Sequence, residues 1–368
     1  MESIAHCRIR RALKFFVAVL SVGCVFAVFA SGKPAQAAMI TTSSVPNTLL
    51  YVTNSASSLA SLKKHINSMD IIAPQIYAAT RDGRLLGSPS TTVLKLARDA
   101  GARVMPLVVN QDFSQAGMDT FLKDPIAQNA LIAALITEAQ ARGYIGFQYD
   151  FEHMPAEDRV LYSAFVAKSV PYFHGAGLQL SVAVAPQHSA NSADYGDGSW
   201  ENWTGAFDYA ALGASADFVS VMAYDDSQSA GPAASLPWVQ QVLTYTLSQI
   251  PARKVSLGIP FYAWVWNDKT GERTDIRGYP AIADVLKSKQ VVKVQFSSLL
   301  GVPEVTYKKA GNTYTAWYED QRSFEQKLAL VSDNNLFGFS AWALGLEDPS
   351  VWDTVVAMRA PEYGLAMR

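Results

Sequence analysis

The sequence predicts an α/β fold, a parallel (β/α)8 barrel with one small insertion, on the basis of three observations. Eight apolar, β-rich runs recur along the chain, and each is followed by a turn signal and then by helical periodicity. The first run leads into YVTNSASS, which lacks the glycine-rich phosphate loop that would favour the alternative, an open doubly wound sheet. Residues 38–368 exceed the usual domain length of about 100 to 200, whereas a barrel forms one domain of roughly 250 residues or more.

The eight predicted strands alternate with amphipathic segments such as TTVLKLARDAG and PIAQNALIAALITEAQARG, which have the helical period. In chain order the strands are 48–54, 69–77, 102–110, 145–152, 178–186, 217–226, 254–266 and 336–344. The gap between the last two is long and contains a helix-like segment at 281–288 and strand-like pieces near 291–296, 305–309 and 314–318. These pieces predict a small α+β insertion at about residues 267–320, over the C-terminal face of the barrel.

The first 37 residues have the three-part layout of a secretory signal peptide. A basic stretch ending at Lys14 precedes the apolar run 15–30, and AQA at residues 35–37 offers a cleavage site. The run is shorter than the roughly 20 residues of a membrane-spanning helix, so an uncleaved anchor is the weaker alternative. We expect an exported protein, periplasmic or extracellular in the cell envelope. Both cysteines, Cys7 and Cys24, lie in this leader, so the exported chain must depend on its core for stability.

Charge and composition argue against several classes of partner. The chain has 30 basic and 32 acidic residues. The charged residues of the leader are mainly basic, so its loss leaves a net charge of about minus six. Because no basic cluster remains, nucleic acid and anionic membrane are disfavoured as main partners. Aromatic residues make up 11% of the chain, and many lie beside Gly, Asn or Asp at predicted strand ends, which favours a cleft for a neutral ligand.

No metal site or cofactor is predicted. The histidines after the leader, His65, His153, His174 and His188, show no H-x-H or H-x-x-x-H spacing, and no cysteine remains. A metal-dependent deacetylase is therefore disfavoured, and the nucleophile elbow of a Ser-His-Asp hydrolase is missing as well. We expect a monomer without a cofactor.

Two carboxylates, Asp150 and Glu152, lie two residues apart in the fourth predicted strand, GYIGFQYDFEHMP. Side chains alternate along a strand, so Asp150 and Glu152 share one face with Gln148, while the aromatic residues Phe147, Tyr149 and Phe151 share the other. In a barrel the aromatic face would pack against the helices. The two carboxylates would then point inward near the C-terminal rim, where barrel active sites lie.

Burial of two neighbouring carboxylates raises the pKa of at least one of them, which is what a general acid near neutral pH requires. The alternative is an acidic pair that only caps the following helix. Glu157 and Asp158 lie closer to the start of that helix and could supply its cap, which weakens the alternative.

The fourth strand resembles that of glycoside hydrolase family 18, the chitinase-like barrels, which ends in D-G-x-D-x-D-x-E. The glycine, the last Asp and the Glu of the pattern match Gly146, Asp150 and Glu152, whereas Ile145 and Gln148 replace the other two Asp residues. The bacterial spore-cortex-lytic type of N-acetylglucosaminidase carries Asn at the middle position. The chain resembles that branch more than it resembles secreted chitinases.

Three further motifs extend the resemblance over most of the chain. VSVMAYDD is similar to the family's M-x-Y-D and implies that Tyr224 and Asp225 lie at the site. LGIPFYAW is similar to G-x-P-x-Y-G, with Ala263 in place of the last Gly, and GFSAWALGLEDP is similar to the segment whose Trp, here Trp342, forms the floor of the sugar pocket. The same strand-face reasoning gives further candidate substrate contacts, which are Tyr262 and Trp264 on the seventh strand and Gln75 and Tyr77 on the second.

The resemblance implies retaining, substrate-assisted hydrolysis of β-linked N-acetylglucosamine glycans of the peptidoglycan or chitin type. Glu152 would be the general acid, Asp150 would accept the N-acetyl amide hydrogen, and Tyr224 would donate to the acetyl oxygen. Gln148 is expected to contact the substrate as well, as is Asp225. Gln148 could also hydrogen-bond Asp150 but cannot carry a proton, so an altered pH profile is expected. Because of Gln148, a catalytically silent barrel that binds such glycans remains the alternative.

Overall fold

The computed structural model describes residues 45–196 and 198–359. The predicted leader, residues 1–37 with both cysteines, lies outside the described residues. Within the described ranges, no helix combines the length and the apolarity needed to cross a membrane.

Eight parallel strands form a closed barrel, which confirms the predicted fold class. Each strand pairs with the next along the chain, and the first closes the ring by pairing with both the second and the eighth. The strands are β1 (Asn47–Val52), β2 (Ile71–Ala79), β3 (Leu107–Asn110), β4 (Gly146–Asp150), β5 (Gln179–Val184), β6 (Val219–Val221), β7 (Val255–Pro260) and β8 (Gly338–Trp342). A two-residue strand, Arg103–Val104, pairs with β2 ahead of β3, and a short strand, Leu85–Gly87, pairs antiparallel with the end of β2.

Helices follow the barrel strands, and several begin at a Ser or Asp whose side chain accepts a backbone N–H. The α-helices are Ala56–His65, Thr91–Ala100, Gln115–Leu122, Pro125–Arg142, Arg159–Gly175, Ser199–Asn202, Tyr209–Ser215, Leu236–Gln249, Tyr279–Lys287, Gln321–Asp333 and Val351–Met358. Asp158 immediately precedes the helix after β4, but its side chain makes no cap hydrogen bond. The expected cap is therefore absent there, although Glu157 and Asp158 still place negative charge at that helix start.

Two hydrophobic layers surround the strands. The barrel interior contains a small apolar cluster that includes Leu49, Ile71, Met105, Leu107 and Phe218. A much larger layer lies between the strands and the helices, and there the aromatic face of β4 packs as predicted. Tyr149 stacks on Phe165 with ring centroids 5.2 Å apart, and Phe151 meets Phe121 edge to face. β4 is thus held from outside while its other face points into the barrel.

A glycine at the start of β4 lets this strand lie close to β5. Gly146 has a φ of 155°, and a Cβ at this position would lie 1.8 Å from the carbonyl oxygen of Gln179. No other residue fits without moving one of the two strands. The carboxylates that follow Gly146 therefore project from a strand whose position is fixed on both sides.

The insertion between β7 and β8 is an α+β unit, as predicted, but it begins earlier than expected. The predicted seventh strand is interrupted at Phe261, whose N–H donates to the carbonyl of Trp342, and the chain then enters a five-stranded antiparallel sheet. Its strands are Tyr262–Asn267, Arg273–Gly278, Val291–Ser297, Val302–Lys309 and Asn312–Trp317. The helix Tyr279–Lys287 packs on this sheet around Ile282 and Val305. Tyr262 therefore belongs to the insertion and not to the barrel.

Candidate active site

Asp150 ends β4, and Glu152 follows two residues later at the C-terminal rim. The side chain of Asn110, at the end of β3, donates to the carbonyl of Glu152 at 2.9 Å and accepts its backbone N–H at 2.9 Å. These two bonds fix the backbone that carries the Glu152 carboxyl. His153, the next residue, has a φ of 54°, so the chain turns sharply out of the barrel directly after the carboxylate pair.

Burial dominates the electrostatics of this pair. Burial raises the pKa of Asp150 to about 7. Burial and the neighbouring Asp150 charge raise the pKa of Glu152 to about 8, and an indole hydrogen bond from Trp203 acts in the opposite direction. The two groups interact, so they titrate as a unit, and the form with one proton is favoured near neutral pH. Such a pair can supply a proton and a negative charge to the same ligand.

One oxygen of Asp150 is an unused acceptor. Asp150 is only 5% exposed, and its Oδ1 is buried without a hydrogen-bond partner among the residues that the structure describes. A buried carboxylate oxygen without a donor is costly, and a buried carboxyl with a raised pKa is a candidate functional group. A ligand N–H placed over Asp150 would satisfy it.

Gln148 lies below the pair and is completely buried. Its Oε1 accepts from the Tyr51 hydroxyl at 2.8 Å, and its Nε2 donates to the hydroxyls of Ser181 at 2.9 Å and Ser220 at 3.0 Å. Both amide N–H groups are therefore used, which leaves none for Asp150. The expected contacts of Gln148 with substrate and with Asp150 must both be corrected, because the residue supports the site from beneath.

Tyr224 and Asp225 follow β6 and lie close to the carboxylate pair. Tyr224 is buried and Asp225 is partly buried, with a φ of 63°. Gly258 lets β7 approach β6 closely, since a Cβ there would lie 2.4 Å from the Val221 carbonyl oxygen and 3.0 Å from the Tyr224 ring. The Tyr262 hydroxyl donates to Asp225 Oδ1 at 2.5 Å, and this bond partly offsets the effect of burial, which raises the pKa of Asp225. The insertion thus contributes to the rim of the barrel through Tyr262.

Trp342, at the end of β8, lies on the inward face of the barrel and is partly exposed. Its ring lies 5.4 Å from that of Tyr51, at an angle of 52°. The Tyr51 hydroxyl in turn donates to Gln148, so Tyr51 contacts the tryptophan through its ring and β4 through its hydroxyl. Gln75, on the inward face of β2, is also partly exposed. Both remain candidate substrate contacts.

Tyr77, in contrast, points away from the barrel interior. The pairing of β2 with β3 shifts between Gln75 and Tyr77, so a bulge reverses the facing of the side chains that follow. The Tyr77 hydroxyl donates to Glu138 at 2.7 Å and lies 3.0 Å from the Tyr144 hydroxyl, under a helix. The prediction that Tyr77 contacts substrate is therefore wrong. Trp264 is also buried: it lies in the sheet of the insertion and is 1% exposed.

The structure adds a site residue that the sequence did not indicate. Trp203 lies in the loop between β5 and β6, and its indole Nε1 donates to Glu152 Oε2 at 3.1 Å. The residue is 51 positions from Glu152 in the chain and belongs to no motif. Only the folded loop brings it to the carboxyl, so local spacing carries no signal for it.

Among residues 45–196 and 198–359, no group of three or more His, Cys, Asp or Glu side chains is arranged to hold a metal ion.

Comparison with known proteins places the chain in a family. The sequence model of Glycosyl hydrolases family 18 matches residues 56–347. A cortical fragment-lytic enzyme of Bacillus subtilis (strain 168) is 30% identical over 285 residues, which are 75% of this chain and 64% of that protein. The chain therefore spans slightly less than two thirds of that relative.

Solved structures give the same result. The spore cortex-lytic enzyme SleL of Bacillus megaterium has a TM-score of 0.75 and 25% identity, over 84% of this chain and 73% of that one. A chitinase of Chromobacterium violaceum has a TM-score of 0.77 and 26% identity, over 88% of this chain and 100% of that one. The match to the family covers well over half of the chain, and the closed eight-stranded barrel agrees with these solved structures. The chain is a glycoside hydrolase that belongs to glycosyl hydrolases family 18.

Proposed function

We propose that this chain is an exported, monomeric, retaining hydrolase of β-linked N-acetylglucosamine glycans of the peptidoglycan or chitin type. The observation that carries the proposal is the pairing of Glu152, whose pKa is raised, with Asp150, whose buried Oδ1 lacks a donor. An N-acetyl group supplies the missing donor through its amide N–H. It also supplies a nucleophile through its carbonyl oxygen, so no second carboxylate need attack the sugar.

The first step breaks the glycosidic bond. Glu152 gives its proton to the glycosidic oxygen while the acetyl oxygen of the substrate bonds to the anomeric carbon. The leaving sugar departs as an alcohol, and a cyclic cation forms on the remaining sugar. Asp150 accepts the amide N–H and offsets the positive charge, and Tyr224 donates to the acetyl oxygen and orients it.

The second step restores the enzyme. Water attacks the anomeric carbon from the side that the leaving sugar has vacated and gives a proton to the Glu152 carboxylate. The bond to the acetyl oxygen breaks, and the N-acetyl group is regenerated. Two inversions at one carbon give net retention. Aromatic side chains at the rim, Trp342 among them, provide apolar surfaces for the sugar faces.

The test compares the wild-type protein with Glu152→Gln on three substrates: peptidoglycan, N-acetylglucosamine oligomers and the same oligomers after de-N-acetylation. Mass spectrometry identifies the products, and NMR of the first product gives its anomeric configuration. We expect β-anomer products from acetylated substrates alone and a loss of about 10²- to 10⁴-fold in the variant. Equal activity of the two proteins would refute the role of Glu152, and binding without any product would favour the silent glycan-binding barrel.

A further inference from the structure

The general acid is held by a residue from another part of the barrel. The carboxyl of Glu152 accepts a hydrogen bond from the Trp203 indole N–H, 3.1 Å away. An indole N–H is a donor that neither titrates nor accepts, so it fixes one carboxyl oxygen and leaves the other free to carry the proton. We propose that Trp203 is a positioning residue, which orients Glu152 and sets its readiness to give up a proton. This inference rests on the proposed role of Glu152.

The loop that carries Trp203 is anchored on both sides. Arg159, at the start of the helix after β4, donates to the carbonyls of Gly205 at 3.0 Å and Phe207 at 2.5 Å. Gln187, fully buried after β5, donates to the carbonyls of Thr204 at 2.7 Å and Phe207 at 2.8 Å. These bonds tie the loop to the elements that flank Glu152. The position of the indole is therefore set by the scaffold.

The indole ring is also packed from the side of the acid itself. His153 follows Glu152 directly, and its ring stacks against Trp203 with centroids 6.2 Å apart and planes 25° apart. Phe113, 39% exposed at the rim after β3, meets the His153 ring edge to face at 6.0 Å. This row of three rings restrains the rotation of the indole.

The surroundings of Glu152 give the indole a specific effect. The charged and titratable groups that face the Glu152 carboxyl come from β1, β4 and the segment after β6, and they are Asp150, Asp225, Tyr224 and Tyr51. Burial and the negative charges of Asp150 and Asp225 raise the pKa of Glu152, whereas the Trp203 hydrogen bond lowers it. Without Trp203 the acid would hold its proton more tightly and be oriented less well.

The variant Trp203→Phe keeps an aromatic ring and removes the donor. We expect the alkaline limb of its pH profile of kcat/KM to move to higher pH by about one unit, because the Glu152 carboxylate loses a hydrogen bond. We also expect kcat at the optimum to fall by about tenfold, because the acid is no longer aligned. A purely structural defect would lower activity at every pH without moving the limb. Trp200→Phe is the matched control, since Trp200 lies on the same loop and packs on Tyr195 at 5.1 Å.

A second measurement does not depend on activity. In protein labelled with ¹⁵N-tryptophan, the Trp203 indole resonance is assigned by its absence in Trp203→Phe, and its shift is followed against pH. We expect it to titrate as Glu152 ionises and to lose this titration in Glu152→Gln. An indole that does not titrate, or a Trp203→Phe profile with an unmoved limb, would overturn the inference even if the wild type hydrolyses glycans. An indole that titrates in a protein without activity would support the contact and refute the proposed function.

Discussion

Replacing Gln148 by methionine should destabilise the fold by about 3 kcal/mol. The side chain is 0% exposed, and its amide makes three hydrogen bonds to hydroxyls inside the barrel, those of Tyr51, Ser181 and Ser220. Methionine has a similar length and volume, so the change removes polar bonds without leaving a large cavity. The effect therefore measures the hydrogen-bond network and not the packing.

The magnitude follows from those three bonds. Each buried hydrogen bond contributes about 1 kcal/mol net, and a buried hydroxyl left without a partner costs about 1 to 3 kcal/mol. The Ser181 hydroxyl also donates to the sulfur of Met105 at 3.4 Å, so it keeps one partner when Gln148 is removed and its loss should be the smallest. The added apolar contacts of methionine offset part of the total. The expected net loss is therefore near the sum of three ordinary bonds.

Urea unfolding, followed by tryptophan fluorescence, gives the free energy of unfolding of each variant. The matched control is Gln249→Met at the exposed end of a helix, which should change stability by less than about 0.5 kcal/mol. Gln148→Glu, which keeps the shape and an acceptor for Tyr51, should lose stability as the pH rises and the buried carboxylate ionises. If Gln148→Met unfolds at the same urea concentration as the wild type, the network contributes nothing and the reasoning fails.

Three further outcomes are expected at the rim. The wild-type kcat/KM should decline below about pH 7, where the Asp150–Glu152 pair gains its second proton, and above about pH 8, where the pair loses its last proton, and Asp150→Asn should abolish the acidic limb. Glu152→Gln should be more stable than the wild type by about 1 to 3 kcal/mol at pH 8 but not near pH 4. The reason is that the pKa of Glu152 is raised in the folded state, so the wild type loses stability as the pH rises from the ordinary pKa of a glutamate towards 8. Thermal unfolding at both pH values measures this difference. Tyr262→Phe should lower kcat/KM about tenfold, most strongly at acidic pH, because its 2.5 Å bond favours the ionised form of Asp225; an unchanged pH profile would contradict this role.

The fold was predictable because periodicity is a local property. Each barrel strand is a short apolar run, and the outward-facing aromatic residues Tyr149 and Phe151 alternate strictly with Gln148 and Asp150. Alternation fails where the backbone departs from regular pairing. The bulge in β2 reverses Tyr77, and the interruption at Phe261 moves Tyr262 into another sheet. A proline precedes each irregularity, Pro74 before the bulge and Pro260 before Phe261, but strict alternation takes no account of a proline, so counting residues along the strand gives the wrong face for Tyr77.

The site was predictable to the extent that its residues lie on strand ends. Asp150 and Glu152 are two residues apart, and Tyr224 and Asp225 are adjacent, so each pair is visible as a motif. Trp203 is visible in no motif, because its contact with Glu152 depends on the course of a loop that Arg159 fixes from another helix. Long-range contacts of loops depend on such distant anchors, and local sequence patterns do not contain them.

Gln148 shows how a substitution within a motif can be compatible with the chemistry. A carboxylate at this position would place a third acidic group on the inward face of β4, next to two whose pKa values burial already raises. The amide instead satisfies Tyr51 and two serine hydroxyls, and it adds no charge. On this strand, only Asp150 and Glu152 can then hold the proton that the reaction needs. Because the indole N–H of Trp203 donates to Glu152, the loop between β5 and β6 is placed to influence which of the two carboxyls holds the proton.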